Sequence, residues 1–279
     1  MFYGSKCHQV VIGETMNYIE FGQGQQALII LPGLGDGLSP VHGQTQAIAL
    51  ALSYKQFAKR FKVYLFSRKN HLEAGYTTRD MAKDQAEAMK TLGISNANIL
   101  GVSQGGMIAQ YLAIDYPQLV NKLVLAVTLS KQNETTAKVI HTWIEMAKQG
   151  NYKGLMMDTA EKSYSEKYLK KSRLLYRLLG NFGKPKDFER FLIQAETCIT
   201  HNSYPELNKI TCPTLIIGGD NDKIVGPNSA PELSSKIKDS ELLIYQGLGH
   251  AAYEEAKDFN DHILNFLNQP EKNTTSRKG

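Results

Sequence analysis

Short runs of consecutive apolar residues recur along the chain, separated by longer segments with helical periodicity. The run at 27–31 contains no polar residue, which is typical of a strand covered on both faces in a parallel sheet. The predicted strands are residues 8–12, 15–21, 27–31, 63–66, 98–102, 123–127, 214–217 and 241–245. The predicted helices are residues 78–92, 104–116, 229–238 and 254–267. This alternation predicts an α/β fold with a mostly parallel sheet, preceded by an antiparallel hairpin of the first two strands.

The alternation of strands and helices stops after Leu129 and resumes at Thr214. Between about 134 and 204 only helical periodicity is present. We therefore expect one α/β domain that carries a long helical insertion. The predicted boundaries are 1–130 and 205–268 for the α/β core, 131–204 for the helical insertion, and 269–279 for a disordered polar tail.

The composition excludes several classes of protein. With 279 residues, 42% of them hydrophobic and 21% charged, the chain resembles an ordinary globular protein. The net charge of +5 is modest, and the basic stretch at 167–177 has helical spacing, which indicates a solvated helix face. We therefore expect no nucleic-acid partner. We also expect no membrane span, since no apolar run approaches the roughly 18 residues that a membrane helix needs.

The cysteines and the first residues bear on the compartment. Cys7, Cys198 and Cys212 are widely spaced and form no CxxC motif, so neither a disulfide framework nor a structural zinc site is expected. The N-terminal stretch lacks the charged and apolar regions of a secretory signal. These features favour a cytoplasmic location.

Residues 101–105 read Gly-Val-Ser-Gln-Gly and lie between a predicted strand and a predicted helix. A G-x-S-x-G sequence at a strand-to-helix turn is the pattern of a nucleophile elbow, in which a strained serine projects above the sheet edge. Gly101 and Gly105 are expected because side chains there would collide with the neighbouring strand and helix. The alternative is that Ser103 simply caps the following helix.

A serine nucleophile needs a histidine base and an acid that orients the histidine. With an elbow of this kind the expected chain order is serine, acid, histidine, each at the carboxyl end of a strand. His250 lies in a glycine-flanked loop after the strand at 241–245, whereas His262 falls inside the last helix and is expected to pack there. Asp220 and Asp222 both follow the strand at 214–217, and spacing does not choose between them.

An oxyanion hole needs two backbone N–H donors. One is expected from Gln104, the residue after the serine. The other is expected from Leu34, in the glycine-rich loop after the strand at 27–31. That loop matches neither the dinucleotide-binding nor the P-loop pattern, so we do not expect it to bind a phosphate.

Four motifs occur in a fixed order: LPGLG at 31–35, GVSQGG at 101–106, IIGGDNDKIV at 216–225 and GLGH at 247–250. On these motifs the chain resembles the α/β-hydrolase superfamily, in the serine esterase- and lipase-like branch with a helical cap after the sixth strand, from about residue 10 to 268. The resemblance implies an eight-stranded, mostly parallel sheet whose second strand is antiparallel, with the active site between sheet and cap. It assigns the acid to Asp222 and the first oxyanion donor to Leu34.

The sequence departs from the superfamily pattern in three places. Pro32 replaces the usual histidine, residues 67–70 keep the arginine but lose the glycine of an Asp-x-Arg-Gly turn, and the segment 35–46 is longer. Asp36 and His42 lie on that longer segment and are candidates for the mouth of the site. These departures do not affect Ser103, Asp222 or His250. They do weaken any inference that this chain acts on the same substrate as a particular member of the superfamily.

The function implied by the resemblance is hydrolysis of an ester, thioester or lactone of a small to medium, mostly apolar molecule through an acyl-enzyme. No metal and no organic cofactor is needed for that chemistry, and the oligomeric state is open. The same three residues would support hydrolysis of a carbon–carbon bond, perhydrolysis or acyl transfer to an alcohol. A non-catalytic receptor for a small molecule on the same fold is the alternative from another class.

Overall fold

The computed structural model describes residues 3–179 and 182–270. Within them the chain forms one eight-stranded sheet. Its strands are β1 (Lys6–Ile12), β2 (Glu14–Phe21), β3 (Gln26–Leu31), β4 (Phe61–Lys69), β5 (Ala97–Val102), β6 (Val120–Ala126), β7 (Thr214–Gly219) and β8 (Ser240–Tyr245). The prediction of an α/β fold with eight strands is confirmed.

The strands are arranged in the order β1-β2-β4-β3-β5-β6-β7-β8. β2 pairs antiparallel with β1 and with β4, and all other neighbours are parallel. β3 and β5 lie side by side near the middle of the sheet, with Leu31 opposite Gly101. The carboxyl ends of the parallel strands therefore meet at one edge, where loops after β3, β5, β7 and β8 come together.

Helices cover both faces of the sheet. They are α1 (Gln44–Ser53), α2 (Lys55–Ala58), α3 (Thr78–Thr91), α4 (Gln104–Asp115), α5 (Glu134–Lys148), α6 (Tyr152–Ser163), α7 (Glu166–Leu179), α8 (Glu189–Thr200), α9 (Ser229–Lys236), α10 (Ala252–Glu255) and α11 (Phe259–Asn268). One apolar core joins α3, α4 and α9 to the sheet, and a second joins α1, α2 and α11 to its other face.

Helices α5–α8 lie between β6 and β7, in the stretch where a helical insertion is expected from the sequence, and are here called the cap. Two features differ from the predictions. Residues 44–58 form α1 and α2, which the pattern did not indicate, and the predicted last helix is two helices separated at 256–258. The tail prediction falls mostly on 271–279, which lie outside the described residues. Within the described ranges, no helix is long and apolar enough to cross a membrane.

Candidate active site

Ser103 lies at the turn between β5 and α4 in a strained backbone conformation. Its φ is 53° and its ψ is −120°, in the positive-φ region that non-glycine residues rarely adopt. A Cβ on Gly105 would stand 1.9 Å from the Leu31 carbonyl oxygen, and one on Gly101 would stand 2.6 Å from the Gly105 oxygen. The two glycines are therefore required by the close approach of α4 to β3 and β5, as the sequence predicts.

The segment after β6 supports this turn from the side. Val127 has a φ of 45°, which is costly for a β-branched residue. The Thr128 hydroxyl donates a 2.8 Å hydrogen bond to the carbonyl oxygen of Ser103. No sequence pattern indicated either residue, because their arrangement depends on the pairing of β5 with β6.

His250 lies between Ser103 and an aspartate. Its Nε2 is 2.9 Å from the hydroxyl oxygen of Ser103, and its Nδ1 is 2.9 Å from a carboxylate oxygen of Asp222. The His250 side chain is 9% exposed and that of Asp222 is 1% exposed, so the pair is largely shielded from water. These three side chains form one hydrogen-bonded line, although His250 is 147 residues from Ser103 and 28 from Asp222 in the sequence.

The two candidate aspartates have different partners. Asp222 uses one carboxylate oxygen for His250, and the other accepts from the backbone N–H groups of Ile224 and Val225 at 2.8 and 3.0 Å. Asp220 accepts a 2.6 Å hydrogen bond from the N–H of Gly247. Asp222 therefore orients the histidine, whereas Asp220 joins the loop after β7 to the loop after β8.

The two predicted oxyanion donors flank the serine. Leu34 begins the 3₁₀ helix Leu34–Gly37, and Gln104 begins α4, so the N–H groups of both belong to the first turn, where helices lack internal acceptors. Gly33 packs against the nucleophile, because a Cβ there would be 3.3 Å from the Cβ of Ser103. The loop after β3 and the start of α4 thus face the same hydroxyl.

Arg68, at the end of β4, lies beneath this pair of donors and is 1% exposed. Its guanidinium donates to the Pro32 carbonyl at 2.6 Å and to the Gln104 side-chain oxygen at 3.0 Å. Burial lowers the pKa of Arg68 to about 10, against the opposing effect of Asp36, and the side chain stays charged at neutral pH. Arg68 therefore holds the loop two residues before Leu34 and the side chain of Gln104 itself.

The sequence suggests that Asp36 and His42 both lie at the mouth of the site, but the two residues have different surroundings. Asp36 is 4% exposed and lies inside the protein, in an ion pair with Arg190 of α8. His42 is exposed, and its ring lies 2.8 Å from the Pro40 carbonyl. Asp36 is thus a buried anchor, not a residue of the site mouth. His262 lies in α11, where its ring packs edge-on against Tyr245 and bonds to Asp258.

The cap contributes apolar side chains above the site. Leu34 and Met107 of the core share one buried cluster with Ile140, Trp143 and Phe191 of the cap. The Trp143 indole N–H is held by Asp158 at 2.7 Å, which fixes the orientation of the ring. The hydrogen-bonded line of Ser103, His250 and Asp222 and the two predicted N–H donors therefore lie beneath apolar walls. Among the described residues no cluster of three or more potential metal ligands is present.

Comparisons with known proteins agree with this fold. A family model described as alpha/beta hydrolase fold matches residues 26–257. A 2-hydroxy-6-oxononadienedioate/2-hydroxy-6-oxononatrienedioate hydrolase of Pseudomonas sp is 27% identical over 94% of this chain and 96% of that protein. A 3-oxoadipate enol-lactonase 2 of Acinetobacter baylyi is 23% identical over 89% of this chain and 91% of that protein.

The solved structures extend the likeness to the whole fold. MGS-M2, an alpha/beta hydrolase enzyme from a Medee basin deep-sea metagenome library, has a TM-score of 0.83 with this chain at 22% identity. The match covers 96% of this chain and 100% of that chain. At that identity the likeness concerns the fold alone, but the family model spans most of the chain. The chain therefore belongs to the α/β-hydrolase fold family.

Proposed function

We propose that this hydrolase cleaves a carboxylic ester, thioester or lactone of a small to medium, mostly apolar molecule, with Ser103 as the nucleophile. The observation that carries the proposal is the hydrogen-bonded line from the Ser103 hydroxyl through His250 to Asp222. A serine whose hydroxyl touches an imidazole, itself oriented by a buried carboxylate, is the arrangement that activates a hydroxyl for attack on a carbonyl.

In the first half-reaction the Ser103 oxygen attacks the carbonyl carbon while Nε2 of His250 takes the hydroxyl proton. The carbonyl oxygen becomes an oxyanion that accepts from the N–H groups of Leu34 and Gln104. His250, now positively charged, is stabilised by the Asp222 carboxylate on its other side. It passes its proton to the leaving oxygen or sulfur as that bond breaks, which leaves an acyl group on Ser103.

In the second half-reaction His250 takes a proton from water, and the resulting hydroxide attacks the acyl carbon. The same two N–H groups hold the second oxyanion. The bond to the Ser103 oxygen then breaks, and the serine regains its proton from His250. The acid product leaves, and the chain is restored with no metal or cofactor required.

The preference for an apolar substrate is supported by the buried cluster that joins Leu34 and Met107 to the cap. Apolar walls with a few convergent polar groups are typical of small-molecule sites. The similarity to a protein named as an enol-lactonase supports lactone chemistry as one form of the reaction.

Hydrolysis of a carbon–carbon bond next to a ketone is the second candidate. It is favoured by the similarity, over nearly the full length of both chains, to a protein named as a 2-hydroxy-6-oxononadienedioate hydrolase. The same serine and histidine would act. The leaving group would be a carbon atom with a stabilised negative charge, which takes a proton as the carbon–carbon bond breaks. The two candidates therefore share a site and differ in the substrate.

The nucleophile is tested by labelling with a fluorophosphonate probe. The wild type is expected to be labelled at one equivalent per chain, Ser103→Ala to remain unlabelled, and His250→Ala to react slowly. Ser172→Ala, at a half-buried position on α7, is the matched control and should be labelled like the wild type. A folded wild type that fails to react, or labelling that persists in Ser103→Ala, would refute the assignment.

A substrate panel separates the candidate reactions. It contains p-nitrophenyl esters of increasing acyl length, a series of lactones, and a dienol ketone, 2-hydroxy-6-oxononadienedioate, after which one relative is named. Turnover of the esters or lactones that disappears in Ser103→Ala supports the first candidate. Turnover of the dienol ketone at a kcat/KM at least about tenfold higher than for any ester selects the second.

A further inference from the structure

Arg190, at the start of the last cap helix, α8, reaches down from the cap to the loop that follows β3. Its guanidinium bonds to both the main chain and the side chain of Asp36, with 2.6 Å between Nη2 and the carboxylate. The remaining hydrogen bonds go to the carbonyl oxygens of Arg68 and Lys69 at 3.1 Å and to the Ser67 hydroxyl at 3.3 Å. One cap side chain thus joins the end of β4 to the loop after β3.

Asp36 is the centre of this contact. Besides Arg190, its carboxylate accepts from the Ser67 hydroxyl and from the backbone N–H of Arg68. Burial alone would raise the pKa of Asp36, but Arg190 and then Arg68 outweigh that effect, and the pKa lies below its ordinary value. The Asp36 carboxylate is therefore an anion within the protein, and it depends on the two arginines for its charge.

The loop around Asp36 is the one expected to supply an oxyanion donor. Leu34 and Asp36 lie in the same short 3₁₀ helix, whose turn is closed by the Asp36 N–H donating to the Gly33 carbonyl at 3.2 Å. Gly37 ends that helix directly against α8, since a Cβ there would be 2.9 Å from the Cα of Phe191. A shift of Asp36 is thus expected to move the N–H of Leu34 with it.

We infer that Arg190 is a positioning residue for the oxyanion hole, which it acts on through Asp36 and the 3₁₀ helix Leu34–Gly37. The inference rests on the proposed function, because an oxyanion hole has a role only if Ser103 attacks a carbonyl. It deepens that function by making the cap a part of the catalytic framework, in addition to a cover for the substrate. A preorganised donor is effective because it is already in place when charge develops on the carbonyl oxygen.

Arginine suits this position better than lysine. The acceptors around Arg190 engage all three of its guanidinium nitrogens, Nε, Nη1 and Nη2, and a planar guanidinium presents donors along several of its edges. A lysine would keep the charge beside Asp36 but would satisfy fewer of these acceptors. Arg190→Lys is therefore expected to keep part of the function that Arg190→Met loses.

Arg173 provides a matched control within the same cap. It also forms a two-pronged ion pair with a carboxylate, donating to Glu161 at 2.7 and 2.8 Å. That pair joins α7 to α6 and lies within the cap. Arg173→Met therefore removes an arginine–carboxylate pair from the cap without removing a contact to the loop that contains Leu34.

The experiment measures kcat and KM for the best ester of the panel, together with the affinity for a trifluoromethyl ketone. Such a ketone forms a tetrahedral adduct with a reactive serine and places a negatively charged oxygen in the oxyanion hole. We expect Arg190→Met to lower kcat by about 10- to 100-fold while KM changes by less than about threefold. The ketone should lose affinity by about the same factor as kcat/KM.

The companion variants separate positioning from general loosening of the cap. Arg190→Lys should recover part of the loss, Asp36→Asn should reproduce it, and the double variant Asp36→Asn/Arg190→Met should be little worse than either single change. Arg173→Met should have a wild-type kcat. All assays are run well below the Tm of each variant, which is measured in parallel.

Two results would overturn the inference while leaving the proposed function intact. One is an Arg190→Met enzyme with a lowered Tm but a kcat and ketone affinity close to wild type, which would make Arg190 purely structural. The other is an equal loss of kcat in Arg173→Met. A wild type that neither hydrolyses the panel nor reacts with the fluorophosphonate probe would instead reject the proposed function itself.

Discussion

Asp220 and Asp222 differ in what surrounds their carboxylates. Asp222 is buried and accepts three hydrogen bonds, one of them from His250. Asp220 is exposed and accepts one from the N–H of Gly247. Because the imidazolium that forms during attack on the carbonyl lies next to Asp222, the charge of Asp222 should matter for catalysis and that of Asp220 should not.

We therefore expect Asp222→Asn to lower kcat by about three to four orders of magnitude, since an amide would hold the histidine in the wrong tautomer. Asp220→Asn should reduce kcat by less than about tenfold, because an amide oxygen still accepts from Gly247. Both are measured by steady-state hydrolysis of an activated ester. Equal losses in the two variants, or a larger loss in Asp220→Asn, would contradict this assignment.

Local sequence was enough to predict some residues of the site and not others. Ser103 and His250 follow from a glycine-bracketed turn and from chain order, which are properties of short segments. The choice of Asp222 needed the resemblance to a family, because both aspartates have the same local context. No sequence pattern indicated Thr128 or Arg190, since their contacts join segments far apart in the chain.

At the level of elements, the cap contacts the loops of the site that follow β3, β7 and β8. Helix α8 holds the loop after β3 through Arg190. The junction of α6 and α7 holds the loop after β8, where the Ala251 N–H donates to the Ser163 carbonyl at 2.9 Å.

Helix α5 holds the loop after β7, where Asn133 and Thr136 donate to the carbonyl oxygens of Val225 and Ile224 at 2.8 and 2.9 Å. Each of these loops is thus attached to a different part of the cap.

The start of α5 allows this attachment to be tested against a simple capping effect. Asn133 is the N-cap of α5, where it accepts from Thr136, and it also donates to the Val225 carbonyl. Asn151 is the N-cap of α6, where it accepts from Gly154 at 2.9 Å. Either residue changed to alanine should lose about 1 kcal/mol of unfolding free energy, measured in urea.

Only Asn133→Ala should also lower kcat, by about three- to tenfold, because Val225 donates its own N–H to Asp222. Asn151→Ala is the matched control, since it removes a cap of the same kind from the neighbouring helix. If both variants keep the wild-type kcat, the contact between α5 and the loop after β7 has no influence on the acid.

The elements that sequence patterns did not predict are those that depend on tertiary contacts. Strand β3 was predictable because residues 27–31 form a continuous apolar run, and β5 because apolar residues and a glycine make up all of it except Asn98. Residues 254–267 have the periodicity of a single helix, but Glu255 of α10 accepts from Ser165 of the cap and the chain is extended at Ala256. α1 has a weak apolar stripe with only Ala47 and Ala51 buried, so its pattern alone did not distinguish it from a loop.

At the scale of the whole molecule, the chain crosses between core and cap at two adjacent points. Lys131 on the outgoing segment forms an antiparallel bridge with Asn202 on the returning one. His201 lies next to this bridge, with Nδ1 2.8 Å from the Thr78 hydroxyl and its ring packed edge-on against Tyr111. It is 3% exposed, and its Nε2 has no hydrogen-bond partner among the described residues.

Protonation of His201 would place a charge and an unpaired N–H group inside the protein. Burial accordingly lowers the pKa of His201 to about 3 in the folded state, whereas an unfolded histidine has a pKa of about 6.5. The unfolded chain therefore binds the proton more readily between these values. The part of the unfolding free energy that depends on neutral His201 is fully present above about pH 6.5. It is lost as the pH falls from there towards about 3.

This linkage makes a prediction for the stability of the whole chain. Between pH 7 and pH 5 His201 should account for a loss of about 2 kcal/mol of unfolding free energy, since each pH unit below the unfolded pKa contributes about 1.4 kcal/mol. His201→Gln removes the titrating group and keeps an acceptor for Thr78, so its urea midpoint should fall much less over that range. The exposed His141→Gln should retain the wild-type pH dependence. If wild type and His201→Gln lose stability in parallel, the acid sensitivity comes from other groups, and the junction between core and cap is not where acid acts.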